Sequence, residues 1–228
     1  MPTDPRLPYN ARPLSRKERT NKDVYSYLSP RLGRVVEVVA PLRALMVLEF
    51  EFDPAVAGFA ERPRKLAVGL GDVEIDFFTH ENSGRERYWL LVPDSECFEP
   101  KSPRRIHREA NALVDAANRA HLALEFVFEA DLLRRRARLN ELVRLLPYVQ
   151  DAMSLENREP LREQIRAALQ ALQRASIDQL WSALAGFHRA DVTAVIADLI
   201  HAGELALVGG RALDRMSIVE RRCLHAHP

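Results

Sequence analysis

Along the first half of the chain, Val35, Val38, Val39, Leu42, Leu45, Met46 and Leu48 recur at three- and four-residue steps. That period predicts a helix over Val35 to Phe50, with Pro41 marking either its true start or a kink. The segment EFDPAVAGF ends it, and Lys65 to Leu70 is a short strand candidate. Two apolar runs, VEIDFF and YWLLV, then flank the polar THENSGRER, so Gly71 to Pro93 predicts a β-hairpin. Asp94 to Pro103 contains Pro100 and Pro103 and is a loop. Arg104 to Ala120 recovers a helical period through Ile106, Ala110, Leu113, Val114 and Ala117, and LALEFVFEA is a strand. Helix, strands, helix, strand is an α/β layout with at least one crossover helix.

Asp131 to Val149 predicts a further helix, whose apolar stripe is Leu132, Leu139, Leu142, Val143 and Leu146. Arg134, Arg135, Arg136 and Arg138 crowd its other side, either as a solvated face or as a phosphate-binding one. Residues 151–160, DAMSLENREP, form the expected linker between a domain over 35–150 and a second over 161–228. LREQIRAALQALQR is amphipathic, and Ser176 with Asp178 offers a capping start for IDQLWSALA. That helix, the break at Gly186, the helix ADVTAVIADLIHAG, and ELALVGGRAL with its Gly209-Gly210 turn read as a helix-turn-helix with a β-wing, a winged-helix module. Its second helix offers only Arg189 against Asp191 and Asp198, so protein docking is favoured over base reading.

Composition narrows the class. Hydrophobic content of 47% and charged content of 29% are those of a soluble globular protein, and no window approaches the roughly 18 apolar residues of a membrane span. The N-terminus lacks an apolar core for secretion, and two separated cysteines, Cys97 and Cys223, form neither a disulfide framework nor a metal cluster, which fits a reducing cytoplasm. The net charge of +1 means that any nucleic-acid affinity arises from local basic patches. One is residues 1–34, where Arg6, Arg12, Arg16, Lys17, Arg19, Lys22, Arg31 and Arg34 outnumber Asp4, Glu18 and Asp23. This predicts an extended basic arm, either contacting phosphates with Tyr25 and Tyr27 against sugar or base, or solvated.

Conventional site motifs are absent: there is no Gly-rich phosphate loop, no HExxH and no CxxC, and His225 with His227 form only a tail pair. Asp76 is the exception, a lone acid inside an apolar strand, where an ionised carboxylate is costly unless it faces water or joins a charged site.

Several blocks, in order, resemble the TnsA family of transposon-encoded endonucleases, which nick the 5′ ends of an excising element beside a DDE transposase. They are the basic arm ahead of Gly33-Arg34, the helix running into LEFEFDPAVAGFAERP, the strand EIDFF, the segment FVFEADLLRRRARLNELVRLLPY, and the C-terminal module ending in ALDRMSIV. The likeness spans about residues 12 to 220. It implies a restriction-endonuclease-like mixed sheet flanked by helices, followed by a helix-rich winged-helix domain. It also implies a nuclease in which a helix Glu, a strand Asp and an (E/Q)-x-Lys on the next strand hold Mg²⁺ and activate water.

Carried over residue by residue, the helix acid falls on Arg43, the strand acid is retained as Asp76, and the (E/Q)-V-K triplet aligns with Leu91, Val92 and Pro93. Replacement ligands, if the protein is active, are Glu74, in phase with Asp76, Asp94 or Glu96 nearby, or Glu37 or Glu49 on the helix; a match shifted by a few residues along the helix would bring in Glu49 or Glu51, and Arg85 or Arg87 could stand in for the lost lysine. The expectation is therefore a TnsA-like transposition protein with a degenerate site and no cofactor. It would bind transposon-end DNA through Arg16, Lys17, Arg19, Lys22, Arg34, Arg43, Arg134, Arg135 and Arg136, and dock on a DDE transposase and, through its C-terminal domain, an AAA+ regulator ATPase. Two alternatives stay open: a divergent Mg²⁺-dependent end-nicking enzyme using Glu74, Asp76 and Asp94, and a winged-helix DNA-binding regulator.

Overall fold

A computed structural model describes residues 7–98, 105–209 and 213–222. The chain is a mixed α/β protein with a mixed sheet flanked by helices. It divides into two compact units, one formed by Met1–Phe50 with Ala55–Arg136, the other by Glu51–Pro54 with Ala137–Pro228. Among the described residues no helix is long and apolar enough to cross a membrane.

From Leu7 onward the basic arm is folded, while Asp4 and Arg6 lie outside the described residues. Ser15 caps α1 (Arg16–Asn21) through a reciprocal capping box with Glu18, and β1 (Val24–Ser29) pairs antiparallel with β2 (Arg34–Val39). Ahead of α1, Leu14 is buried and Leu7 and Tyr9 pack against the core. Tyr27 also packs inward, whereas Tyr25 stays exposed. The predicted helix over Val35 to Phe50 is thus strand up to Val39 and helix only from Pro41, as α2 (Pro41–Phe52). Valines at 35, 36, 38 and 39 satisfy both periods, and pairing with β1 decides for strand.

EFDPAVAGF does more than end the helix: β3 (Val56–Glu61) follows, then β4 (Lys65–Val68) paired with β5 (Gly71–Glu74). VEIDFF is therefore broken at Ile75-Asp76, and the hairpin proper joins β6 (Phe77–Glu81) to β7 (Glu86–Val92). A single 3-10 turn at Asp94–Glu96 follows. The crossover helix α3 spans Ala110–Arg119, shorter than predicted, and Pro100 and Pro103 lie outside the described residues. It returns the chain to β8 (Leu124–Phe128), parallel to β7.

The central sheet has the order β3-β6-β7-β8. Alternation along its strands feeds two cores, because successive side chains point to opposite faces. Phe59, Phe77 and Leu91 pack with Met46, Val47 and Phe50 of α2 on one face. Ala60, Phe78, Tyr88 and Leu90 pack with Leu113, Ala116 and Ala117 of α3 on the other. The run predicted as one helix from Asp131 is two, α4 (Glu129–Arg134) and α5 (Arg136–Met153), broken at Arg135.

In the second unit α5 continues to Met153 and α6 (Arg158–Leu172) begins almost at once, so residues 154–157 are a turn between two helices, and the stretch 151–160 lies inside this unit. After α6 come β9 (Arg174–Ser176), α7 (Ile177–Ala183), α8 (Arg189–His201), β10 (Leu205–Val208) and β11 (Ile218–Arg221), the strands forming a sheet in the order β10-β11-β9. Ser176 caps α7 as predicted, in a box with Gln179. Gly209, at φ +80°, follows β10, whose partner strand is Ile218–Arg221; Gly210, Arg211 and Ala212 lie outside the described residues. Helix α8 is buried without a break from Val192 to Ile200.

An arginine ladder joins α6 to α8. Arg158 holds the buried Asp198 through Nε at 3.0 Å and Nη2 at 2.8 Å, while Arg166 holds Glu204 through Nε at 2.7 Å and Nη2 at 2.8 Å. Arg162 donates to Glu204 at 2.8 Å between them. The hydrogen bonds from Arg166 hold the Glu204 carboxyl below its usual pKa of 4.5. A depressed pKa contributes stability that is present above 4.5 and is lost as pH falls through the lower folded value. Urea unfolding of wild type and Glu204→Gln should accordingly show a gap at neutral pH that narrows on acidification; a gap independent of pH would contradict the assignment.

Candidate functional site

Asp76 sits at the break between β5 and β6 and is only 4% exposed. Its backbone extends the ladder on both sides, donating to the Trp89 carbonyl at 3.1 Å and accepting from the Arg62 N–H at 2.8 Å. The position of the carboxylate is therefore fixed by the sheet. One oxygen accepts from Arg43 Nε at 2.6 Å and the other from the Leu91 backbone N–H at 2.6 Å. Arg43 reaches it from the first turn of α2, which opens at Pro41 after a reversal at Ala40, φ +71°. Burial pushes the Asp76 carboxyl above its ordinary range, against the opposing pull of Arg43 and of the Leu91 N–H.

These three positions are the ones singled out in the sequence. Arg43, Asp76 and Leu91 converge within hydrogen-bonding distance, although Leu91 contributes its backbone and not its side chain. Pro93 lies two residues on, preceding the 3-10 turn. Arg43 and Asp76 line a cavity of about 80 Å³ together with Glu18, Lys22, Val39, Arg62, Glu74 and Phe77. A wider cleft of about 540 Å³, lined by Val68, Phe98, Ile106 and residues at the start of α3, contains none of the expected site residues.

The alternative ligands are dispersed. Glu74 reaches the cavity but is ion-paired with Arg12 at 3.4 Å. Asp94 faces Arg105 at 3.5 Å, its N–H donating to Glu129. Glu96 pairs with His107, Glu37 with Arg19, Glu49 with Arg135, and Glu51 with His201. Arg85 and Arg87 pair with Glu125, and Arg87 also with Glu81, on the hairpin. Among the described residues no group of three His, Cys, Asp or Glu side chains is gathered for a metal ion. The donor set does not fit Mg²⁺: the cation already beside Asp76 is Arg43, and both carboxylate oxygens are engaged.

No protein-family model matches the chain, and no curated protein does.

The candidate DNA-binding cations divide sharply. Arg34 is structural, clamped on the buried Glu61 and bonded to the Phe59 carbonyl at 3.4 Å. Arg19 makes a bidentate pair with Glu37, Lys22 lies 3.8 Å from Glu18, Arg134 pairs with Asp131, and Arg135 with Glu49 at 2.9 Å. Arg16, Lys17 and Arg136 are exposed, and their side-chain cations have no ion-pair or hydrogen-bond partner among the described residues. Cys97 is buried and unpaired; Cys223, His225 and His227 lie outside the described residues.

Arg62 went unnoticed in the sequence. It lines the cavity and is 7% exposed, with Nε donating to the Arg12 carbonyl at 2.8 Å and Nη1 to the Glu37 carbonyl at 3.0 Å. A charged Glu-Arg pair closing the apolar run Val56–Ala60 was the signal available, but charge at a strand end is ordinarily solvated.

Removing one partner of a buried pair strands the other, and here the cost sits at the low end because a third of Arg43 is open to solvent and the Asp76 carboxyl can take up a proton. Arg43→Met should lower stability to urea by about 3 kcal/mol. The double variant Arg43→Met/Asp76→Asn should recover most of it, whereas a loss below roughly 1 kcal/mol would make the pair an ordinary surface contact.

Proposed function

We propose that the protein is a TnsA-like DNA transposition protein whose nuclease site has become a binding site. The observation that carries this reading is the contact of Arg43 with Asp76 at 2.6 Å: the positions that the resemblance matches to the family's helix acid and strand acid meet, but as cation and anion. A TnsA-like active site needs those positions to share Mg²⁺, and an arginine there neutralises the surviving acid instead. The mixed sheet with a helix core on each face supports a restriction-endonuclease-like domain. The order α6, β9, α7, α8, β10, β11 supports a winged helix.

In this reading the first unit holds transposon-end DNA, with Arg16, Lys17 and Arg136 as its uncommitted cations. The second docks on a DDE transposase and an AAA+ regulator ATPase. A DNA-reading role for the winged helix is disfavoured by α8, whose side chains from Val192 to Ile200 are buried and unable to reach base edges. A divergent nuclease is disfavoured by the separation of Asp94 from the Asp76 cavity.

The purified full chain should bind duplex DNA with an affinity that falls steeply with salt and should leave it uncut in Mg²⁺ or Mn²⁺, alone or with its transposase. Replacing Arg16 and Lys17 by alanine should reduce the salt slope by roughly 0.9 per lost phosphate contact. Metal-dependent nicking abolished by Asp76→Ala would overturn the proposal.

A further inference from the structure

Arg62 is a buried cation without a counter-anion of its own. Its guanidinium donates only to carbonyl oxygens, and among the described residues it forms no ion pair. Carbonyl dipoles satisfy donors without neutralising charge, so burial pulls the Arg62 pKa down, against the weaker opposing pull of nearby carboxylates. Its backbone lies in the left-handed region, φ +50°, where an L-residue persists only if its surroundings dictate it.

The neighbouring guanidinium is also underused. Arg43 spends only Nε on Asp76, leaving both Nη groups without a hydrogen bond among the described residues, as is Nη2 of Arg62. Both arginines line the same cavity, and Lys22 joins them. Three carboxylates are present too, but each has its own cation or donors. Glu18 is held by the Ser15 hydroxyl and N–H and lies 3.8 Å from Lys22, Asp76 is held by Arg43 and Leu91, and Glu74 by Arg12. What remains unspent is the outer fork of Arg43, a geometry that matches phosphate oxygens bidentately, and Nη2 of Arg62 beside it.

We infer that this cavity binds a single phosphoryl group, with Arg43 and Arg62 as its paired donors and Lys22 at its rim. The volume of about 80 Å³ suits a phosphoryl group, the space of two to three waters at roughly 30 Å³ each, and is too small for a nucleobase. The inference deepens the reading of the site as one that holds DNA without cutting it. Free phosphate, a backbone phosphate and a strand's 5′-phosphate share the chemistry.

The test is arginine Nε NMR on the full chain, titrated with inorganic phosphate, then with a short duplex bearing 5′-phosphates and the same duplex with 5′-hydroxyls. The Arg43 and Arg62 resonances should shift together and saturate with inorganic phosphate. A duplex response at these two resonances that needs the 5′-phosphate assigns the group to a strand end, and one that does not assigns it to the backbone. Arg62→Gln should weaken phosphate binding by roughly tenfold or more. Arg43→Lys, which keeps a cation for Asp76 but loses the fork, should do the same and guards against a folding defect in the first variant. Shifts confined to exposed Arg16 and Arg136, or wild-type phosphate affinity in Arg43→Lys, would overturn the site. If the duplex binds while Arg43 and Arg62 ignore phosphate, this site fails and the DNA reading stands; if phosphate binds there and the duplex does not bind at all, the DNA reading fails and the phosphoryl site stands.

Discussion

A carboxylate fixed inside a sheet must find a counter-charge, and the first unit is arranged to give Asp76 one. Its backbone is pinned between Trp89 and Arg62, and its side chain is buried beneath the surface. The charge must come to it, and it does so on the first turn of α2, whose entry is set by the β1-β2 hairpin and the reversal at Ala40. The Arg43-Asp76 contact thus ties helix to sheet at the point where the apolar packing of Met46, Val47 and Phe50 begins. The Leu91 N–H completes the shell, engaging the second carboxylate oxygen and joining β7 to the site.

The same economy of charge explains why a strand- and helix-rich unit can carry so many arginines yet present few of them to a partner. Arg34 against Glu61, Arg19 against Glu37 and Arg135 against Glu49 are cross-element clamps, each joining residues distant in sequence. In the second unit Arg158, Arg162 and Arg166, one turn apart along α6, do the equivalent against Asp198 and Glu204. Basic density along a sequence therefore overstates the surface available to phosphate, and Arg16, Lys17 and Arg136 are the candidates left once internal pairs are set aside.

Local patterns were legible and nonlocal ones were not. The run LALEFVFEA and the β7-α3-β8 crossover could be read because strand and helix periods there are unmixed, and Ser176 because a capping box is complete within four residues. The valines between Val35 and Val39 could not, since their placement depends on pairing with residues 24–29. The arm looked extended because its charges were conspicuous while their partners, Glu37 and Glu61, lay beyond it. Of the site, Asp76 stood out as an acid in an apolar run, and Arg43 was singled out only through the resemblance to TnsA-like proteins. Arg62 escaped because neither a positive φ nor a carbonyl-only hydrogen-bond shell leaves a mark in sequence.

Under the proposed function Arg43 stands where a TnsA-like enzyme would hold a metal, and a crystal soaked in Mn²⁺ tests that directly. Anomalous scattering should show no ion at Asp76, with Arg43 Nε still on the carboxylate. A manganese peak bridging Asp76 and Glu74, with Arg43 displaced, would contradict it.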